Sequence, residues 1–321
     1  MAVYTEVNDD ELIAFLTQYD VGQLLSYKGI AEGVENSNFL LQTDQGNFIL
    51  TLYEKRTKKE DLPFFLDLMD HLAASDFACP TPVHGRDGKA LKTLAGRPAA
   101  IVSFLNGVWP RRIQPHHTAA LGKAMAQMHL ASEAFIQTRG NDLGLIQWRP
   151  LFNQISASVD DISKGLGDEI MTELDALEAN WPEGLPQGII HADLFPDNVF
   201  FLGKDFSGFI DFYFSCTDSY AYELAICLNA WCFEKDNGFN ITKARHMFQG
   251  YQKLRPLVAS ELAALTWLAR GAAMRFLLTR LYDWINHPEG AMVTAKDPKE
   301  YLSKLRFHQR LSGPGAYGLD G

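Results

Sequence analysis

Residues 9–20 read DDELIAFLTQYD, with apolar side chains at helical spacing behind an acidic first turn, and predict an amphipathic helix. From Leu24 to Tyr53 the pattern changes to strands. LLSYKGI, NSNFLLQT and FILTLY, the last two joined by a turn at Asp44-Gln45-Gly46-Asn47, predict a three-strand meander. Helical spacing returns with Leu62, Phe65, Leu66, Met69 and Leu72 and predicts a helix over residues 59–75. An extended connector, Cys79-Pro80-Thr81-Pro82-Val83, leads to strands expected at 90–94 and 97–104. Five strands and one intervening helix thus make an N-terminal lobe ending near Leu105-Asn106-Gly107.

Beyond that point the pattern is mainly helical, over residues 115–134, 150–180 and 221–284, with no internal repeat. The Gly-rich tail 312–321 is expected to be loose. The expected class is α+β, with an N-terminal lobe over 1–105 and a larger, mainly helical C-terminal lobe over 106–321.

Composition narrows the function. The 321 residues carry a net charge of −10, which gives no nucleic-acid footprint. The four cysteines form no C-x-x-C pair and read as small buried hydrophobes. Acids at Glu6, Asp9, Asp10 and Glu11 are the wrong charge for a targeting segment, and no run of about 20 apolar residues exists to span a membrane. A cytoplasmic protein of unknown oligomeric state is expected.

The chemistry concentrates in residues 189–212, IIHADLFPDNVFFLGKDFSGFIDF. His191, Asp193 and Asn198 fit H-x-D-x-x-x-x-N, the spacing of a protein-kinase catalytic loop. An apolar run, Gln187-Gly188-Ile189-Ile190, enters the loop as a strand would, and Pro196 keeps it from becoming helical. Val199-Phe200-Phe201-Leu202 and a Gly203-Lys204-Asp205 turn then predict a hairpin whose second strand, 206–212, presents Asp211. One Asp near an Asn, with another Asp across a hairpin, suits magnesium held partly by phosphate oxygens. A phosphotransferase is the expected class.

With the two predicted lobes, this loop resembles the aminoglycoside phosphotransferase and choline kinase family, of protein-kinase-like fold, over nearly the whole chain. HADLFPDN, IDFYFSC and ILTLYEKR look most like the branch that phosphorylates the side-chain hydroxyl of L-homoserine in threonine biosynthesis. The resemblance implies ATP and Mg2+. It casts Asp193 as catalytic base, His191 as the brace of its loop, and Asn198 and Asp211 as metal ligands. It implies that the Ser103 carbonyl and the Leu105 amide meet the adenine edge. Gly29, Gly33, Ser37 and Asn38 fall where a phosphate-covering loop belongs.

This chain departs from the family at Ala192, usually Gly, and at Phe195, usually His. A third departure is larger: the strand position that normally carries a phosphate-contacting lysine holds Thr51. Lys28, Lys55 and Arg56 are the neighbouring cations, and Glu60 would be the usual ion-pair partner of that lysine. A zwitterionic acceptor needs a cation and an acid. Asp218, Tyr222 and Glu223 are the substrate-binding candidates, with Arg270, Arg275 and Arg280 on the following apolar helix. Alternative readings are a kinase for an aminoglycoside, choline, ethanolamine or a sugar derivative, or a nucleotide-binding module without turnover.

Overall fold

The computed structural model describes residues 5–30, 36–54, 58–287 and 295–319. Spatial proximity along the chain divides it into two units, Met1–Gly107 with Ser207–Tyr213, and Val108–Phe206 with Phe214–Gly321. Ser207–Tyr213 thus belongs with the first unit, although Val108–Phe206 of the second unit precedes it in sequence.

The first unit is built on a five-stranded antiparallel sheet in the order β1 (Leu24–Gly29), β2 (Ser37–Thr43), β3 (Gly46–Leu52), β5 (Arg97–Ser103) and β4 (Lys92–Leu94). Alternation decides which face is covered. Phe39, Leu41, Leu50, Leu52, Ala99 and Ile101 bury one face together with Leu12, Phe15 and Leu16 of α1 (Asp9–Leu16). The expected helix over 9–20 stops at Leu16. The Thr17 hydroxyl then donates to Ala14 O, and the turned chain delivers Tyr19 and Val21 to the same core. After a single 3-10 turn, α2 (Leu62–Ala74) runs as the apolar spacing predicts and buries Phe65, Leu66, Met69 and Leu72.

The second unit is helical around one short strand pair. Its first helices are α3 (Pro115–Ala131), α4 (Leu145–Ile155) and α5 (Leu166–Asn180). Strand β6 (Gln187–Ile190) pairs antiparallel with β9 (Cys216–Ser219), from Gln187 opposite Ser219 to Ile190 opposite Cys216. This pair brings the start of the loop after β6 beside the start of α6 (Tyr220–Trp231). The remaining helices are α7 (Ile241–Gln252), α8 (Ala259–Ile285) and α9 (Lys299–Gln309), with α8 packed against α4, α6 and α9.

Between these β6 and β9 segments, β7 (Val199–Leu202) and β8 (Asp205–Phe209) form the predicted hairpin. The second strand ends at Phe209, earlier than expected. Asp211 is not presented by a strand: its φ of 65° puts it in the left-handed region, just ahead of a 3-10 turn at Phe212–Phe214.

The tail also departs from expectation. Tyr317 is fully buried, and its hydroxyl lies 2.9 Å from His308 Nδ1, while His308 Nε2 lies 3.1 Å from Asn229 Oδ1. One aromatic anchor on a buried imidazole thus orders a segment whose composition alone reads as loose.

Two consequences can be measured. Helices α3 and α7 touch through paired glycines: a Cβ on Gly122 would sit 1.9 Å from Met247 O, and one on Gly250 would sit 2.1 Å from Ala119 O. Gly250→Ala should lower the unfolding free energy by about 1–3 kcal/mol through overpacking, despite a helix-propensity gain of about 1 kcal/mol. Thermal denaturation reads the net sign.

Burial, followed by the nearby Lys304 and Arg270 charges, lowers the His308 pKa from 6.5 to about 3. Between those values the unfolded chain takes up a proton that the native chain refuses. The stability associated with neutral His308 is therefore complete above pH 6.5 and is lost as pH falls toward 3, at up to about 1.4 kcal/mol per pH unit. Urea unfolding between pH 7.5 and 4 should show a shallower decline for His308→Gln than for the parent chain.

Candidate active site

Residues 191–198 carry the site in the second unit, and the helices around them hold the backbone at residues 191, 192 and 194. The His191 amide donates to Glu223 Oε2 at 2.5 Å and the Ala192 amide to Glu223 Oε1 at 2.9 Å. At the other end of the same residue, Arg275 Nη1 donates to Ala192 O at 2.6 Å. Trp231 Nε1 donates to Leu194 O at 2.7 Å. These contacts matter because Ala192 has a φ of 63°, a left-handed conformation that costs a residue with a Cβ about 1–2 kcal/mol. Glycine would adopt it freely; here an alanine is held there from both ends of its backbone.

The functional side chains follow from that backbone. The Asp193 amide donates to His191 Nδ1 at 3.3 Å, so this ring nitrogen acts as acceptor and the imidazole is a brace inside the loop. Asn198 Nδ2 donates to both Asp193 O, at 2.8 Å, and Asp193 Oδ2, at 3.2 Å. The amide nitrogen is thereby committed to Asp193, and Asn198 Oδ1 is the atom left for a metal. Among the described residues no group of three or more His, Cys, Asp or Glu could hold a metal ion. A hard cation bound through one amide oxygen or carboxylate and completed by phosphate oxygens fits that donor set better than an all-protein cage.

The substrate candidates fall in different environments. Glu223 and Tyr222 are fully buried. Glu223 has both oxygens engaged with loop amides, and His129 Nε2 lies 3.6 Å from it. His129 is itself buried and 2.8 Å from the Tyr251 hydroxyl, and desolvation lowers its pKa despite the neighbouring carboxylate. Tyr222 packs against Trp181, and burial pushes its hydroxyl pKa up. Asp218 accepts from Asn141 Nδ2 at 2.7 Å and from the Ser219 amide at 2.7 Å. With Trp181, Glu183 and Gln187 it lines a cavity of about 290 Å³ at the outer end of β6. Asp218 stands opposite Gly188, five positions before Asp193.

In the first unit, Gly29 closes β1 opposite Phe39. Gly33, Lys55 and Arg56 lie outside the described residues. The Ser37 hydroxyl donates to Glu54 Oε1 at 2.8 Å and accepts from the Thr5 amide at 3.1 Å, so it works within the sheet. Thr51 is buried, stands opposite Asn38 in register, and donates to Asn38 Oδ1 at 2.8 Å. Nearby, the Tyr53 hydroxyl meets the Tyr213 hydroxyl at 2.9 Å, and burial pushes the Tyr213 pKa up to about 12. The strand position where the family places a lysine is therefore an uncharged hydroxyl and amide cluster. Ser103 Oγ accepts from the Thr81 amide at 2.9 Å. The Leu105 amide has no hydrogen-bond partner among the described residues. Asp211 is exposed.

Sequence spacing located the loop but missed the groups that shape it. Arg275, Trp231 and His129 are far from it in sequence. A detectable signal exists only for Arg275, a charge inside the apolar run RGAAMRFLL that must have a buried partner.

A model of the phosphotransferase enzyme family matches residues 26–257. The homoserine kinase of Paramagnetospirillum magneticum is 66% identical over 326 residues, covering 100% of both chains. That of Rhodospirillum rubrum is 63% identical over 319 residues, covering 99% of both. Among solved structures, an amicoumacin kinase in complex with AMP-PNP, Ca2+ and Ami superposes with a TM-score of 0.71 at 14% identity, over 94% of this chain and 92% of its own. A choline kinase from Cryptosporidium parvum gives 0.68 at 15% identity, over 94% and 95%. At such identities these structures speak to the fold, which is the expected protein-kinase-like α+β fold.

Substitution at Glu223 tests the brace. Glu223→Gln keeps one acceptor and leaves one buried amide unsatisfied, which should cost about 1–3 kcal/mol of unfolding free energy. Glu223→Leu, which removes both acceptors, should cost more. Equal urea midpoints for the two variants would contradict this account.

Proposed function

Because the chain belongs to the phosphotransferase enzyme family, we propose that it transfers the γ-phosphoryl group of ATP to the side-chain hydroxyl of L-homoserine, yielding O-phospho-L-homoserine for threonine biosynthesis. The observation that carries the acceptor is the full-length likeness to homoserine kinases at more than 60% identity. The observation that carries the reaction is the Asp193–Asn198 pair held on the braced loop.

Asp193 accepts the hydroxyl proton as the oxygen attacks, and the Asn198 amide fixes the direction in which its carboxylate points. His191 positions the loop through its Nδ1. Asn198 Oδ1 and the exposed Asp211 carboxylate are assigned as magnesium ligands by their motif positions. Held by these residues, magnesium would supply neutralisation of the charge that develops during transfer. The first unit takes the nucleotide, with the Leu105 amide and the Ser103 carbonyl as the adenine contacts. Gly29, Ser37, Asn38 and Thr51 shape the sheet end beneath the phosphates. Ser37 and Thr51 do so through their bonds to Glu54 and Asn38. Glu223 is assigned to the loop backbone, and Tyr222 to the core around it.

The test is magnesium-dependent ADP release with L-homoserine, choline and kanamycin as acceptors. Turnover with L-homoserine alone is expected. Asp193→Asn should lower kcat by about 10²–10⁴-fold while ATP affinity stays within about 3-fold. Preference for choline or kanamycin would overturn the acceptor assignment, and unchanged kcat in the variant would overturn the role of Asp193.

A further inference from the structure

A second cavity of about 290 Å³ in the second unit lies directly against the catalytic loop. Phe195 and Asp197 form its loop wall, and Arg280, Lys296, Glu300 and Lys304, from α8, α9 and the chain just before α9, form its helical wall. The charge on that wall is unbalanced. Arg280 Nη1 lies 2.6 Å from Glu300 Oε2, and Lys304 Nζ lies 2.5 Å from Glu300 Oε1, so two cations share one carboxylate. Lys304 is only 4% exposed. Lys296 stands 5.4 Å over the Phe195 ring and makes no ion pair with a described residue. A nearly buried ammonium beside a guanidinium is costly without a full complement of negative charge. Burial accordingly lowers the Lys304 pKa even against the pull of Glu300.

The loop wall has the opposite sign. Asp197 is exposed, also makes no ion pair with a described residue, and lies four positions after Asp193 on the same loop. The cation wall is likewise tied to the catalytic loop. Arg280 and Lys304 both sit 4.4 Å from the Tyr301 ring, Tyr301 packs on Phe276, and Phe276 packs on Phe195 of that loop. A cavity lined by surplus positive charge and by a carboxylate of the loop that carries the base complements a small zwitterion that carries a hydroxyl.

We propose that Arg280 and Lys304, with Lys296 at the rim, bind the α-carboxylate of the acceptor amino acid, while Asp197 binds its α-ammonium and directs the side-chain hydroxyl toward Asp193. This assignment rests on L-homoserine being the acceptor. Glu300 holds the two cations in position and shares them with the incoming carboxylate. The earlier candidates Asp218, Tyr222 and Glu223 then play no direct part in specificity.

The test compares kcat/KM for L-homoserine, for homoserinamide, which lacks the carboxylate, and for hydroxybutyrate bearing a terminal hydroxyl, which lacks the ammonium. The parent enzyme should prefer L-homoserine to homoserinamide. Arg280→Gln and Lys304→Gln should each shrink that ratio by about 10- to 100-fold, the effect of losing one charge-assisted hydrogen bond. Asp197→Asn should instead shrink the ratio of L-homoserine to hydroxybutyrate by a similar factor. If Lys304→Gln does not fold, exposed Lys296→Ala gives the same readout with a smaller change. Turnover of L-homoserine with both ratios unmoved would overturn the pocket assignment alone. Failure of the parent enzyme to phosphorylate L-homoserine would overturn the functional reading and the pocket together.

Discussion

One buried carboxylate sets the geometry of the catalytic loop. Glu223 lies in the first turn of α6, where the helix N-terminus favours negative charge, and it spends both oxygens on consecutive amides of residues 191 and 192. Because the charge is wholly out of water, any loop conformation that withdrew those amides would leave it unpaired. The same contact forces the left-handed turn at Ala192, and that turn carries the chain on to Asp193. Arg275, Trp231 and the His191 ring each restrain one further point of a backbone whose path Glu223 has already determined.

The fold was readable where periodicity was strong. The meander, the second helix and the helical C-terminal region stand close to where alternation and helical spacing put them. Errors arose where a single tertiary contact overrides local pattern. Residues 17–20 leave the helix so that Tyr19 can join the core, and Tyr317 binds a Gly-rich tail to His308. The strand before Asp211 ends early, and no local composition signals a left-handed aspartate in that position. The loop itself could be located because its spacing is local in sequence. Its supports could not, since Glu223 reads equally well as a first-turn acid, and its partners lie 31 and 32 residues away.

Thr51 shows how a family position can change character without disrupting the sheet. Its hydroxyl bonds to Asn38 directly across the β2–β3 register, and the Tyr213–Tyr53 pair adds a second neutral contact nearby. Every member has a partner, so the site is stable without a cation. The polar economy of the second unit is different. There, buried charges are retained: Arg270 on Glu173, Arg255 on Glu261 and Lys304 on Glu300. The first unit fills the Thr51 position with hydroxyls and an amide, and keeps an ion pair, Arg97 on Glu54, just beyond the strand.

The return of Ser207–Tyr213 to the first unit has a consequence for biogenesis. Phe209 packs on Phe77, Tyr213 packs on Tyr53 and Phe65, and Gly208 lies so close to Ala78 O that no side chain would fit. The first unit is therefore not a contiguous gene segment. During synthesis its sheet emerges early, but its last aromatic pieces arrive only after the helices α3 to α5 and the entire catalytic loop have left the ribosome. A nascent chain stalled before residue 207 would expose Phe65, Phe77 and Tyr53 to solvent. The unit translated first is, by this topology, completed late.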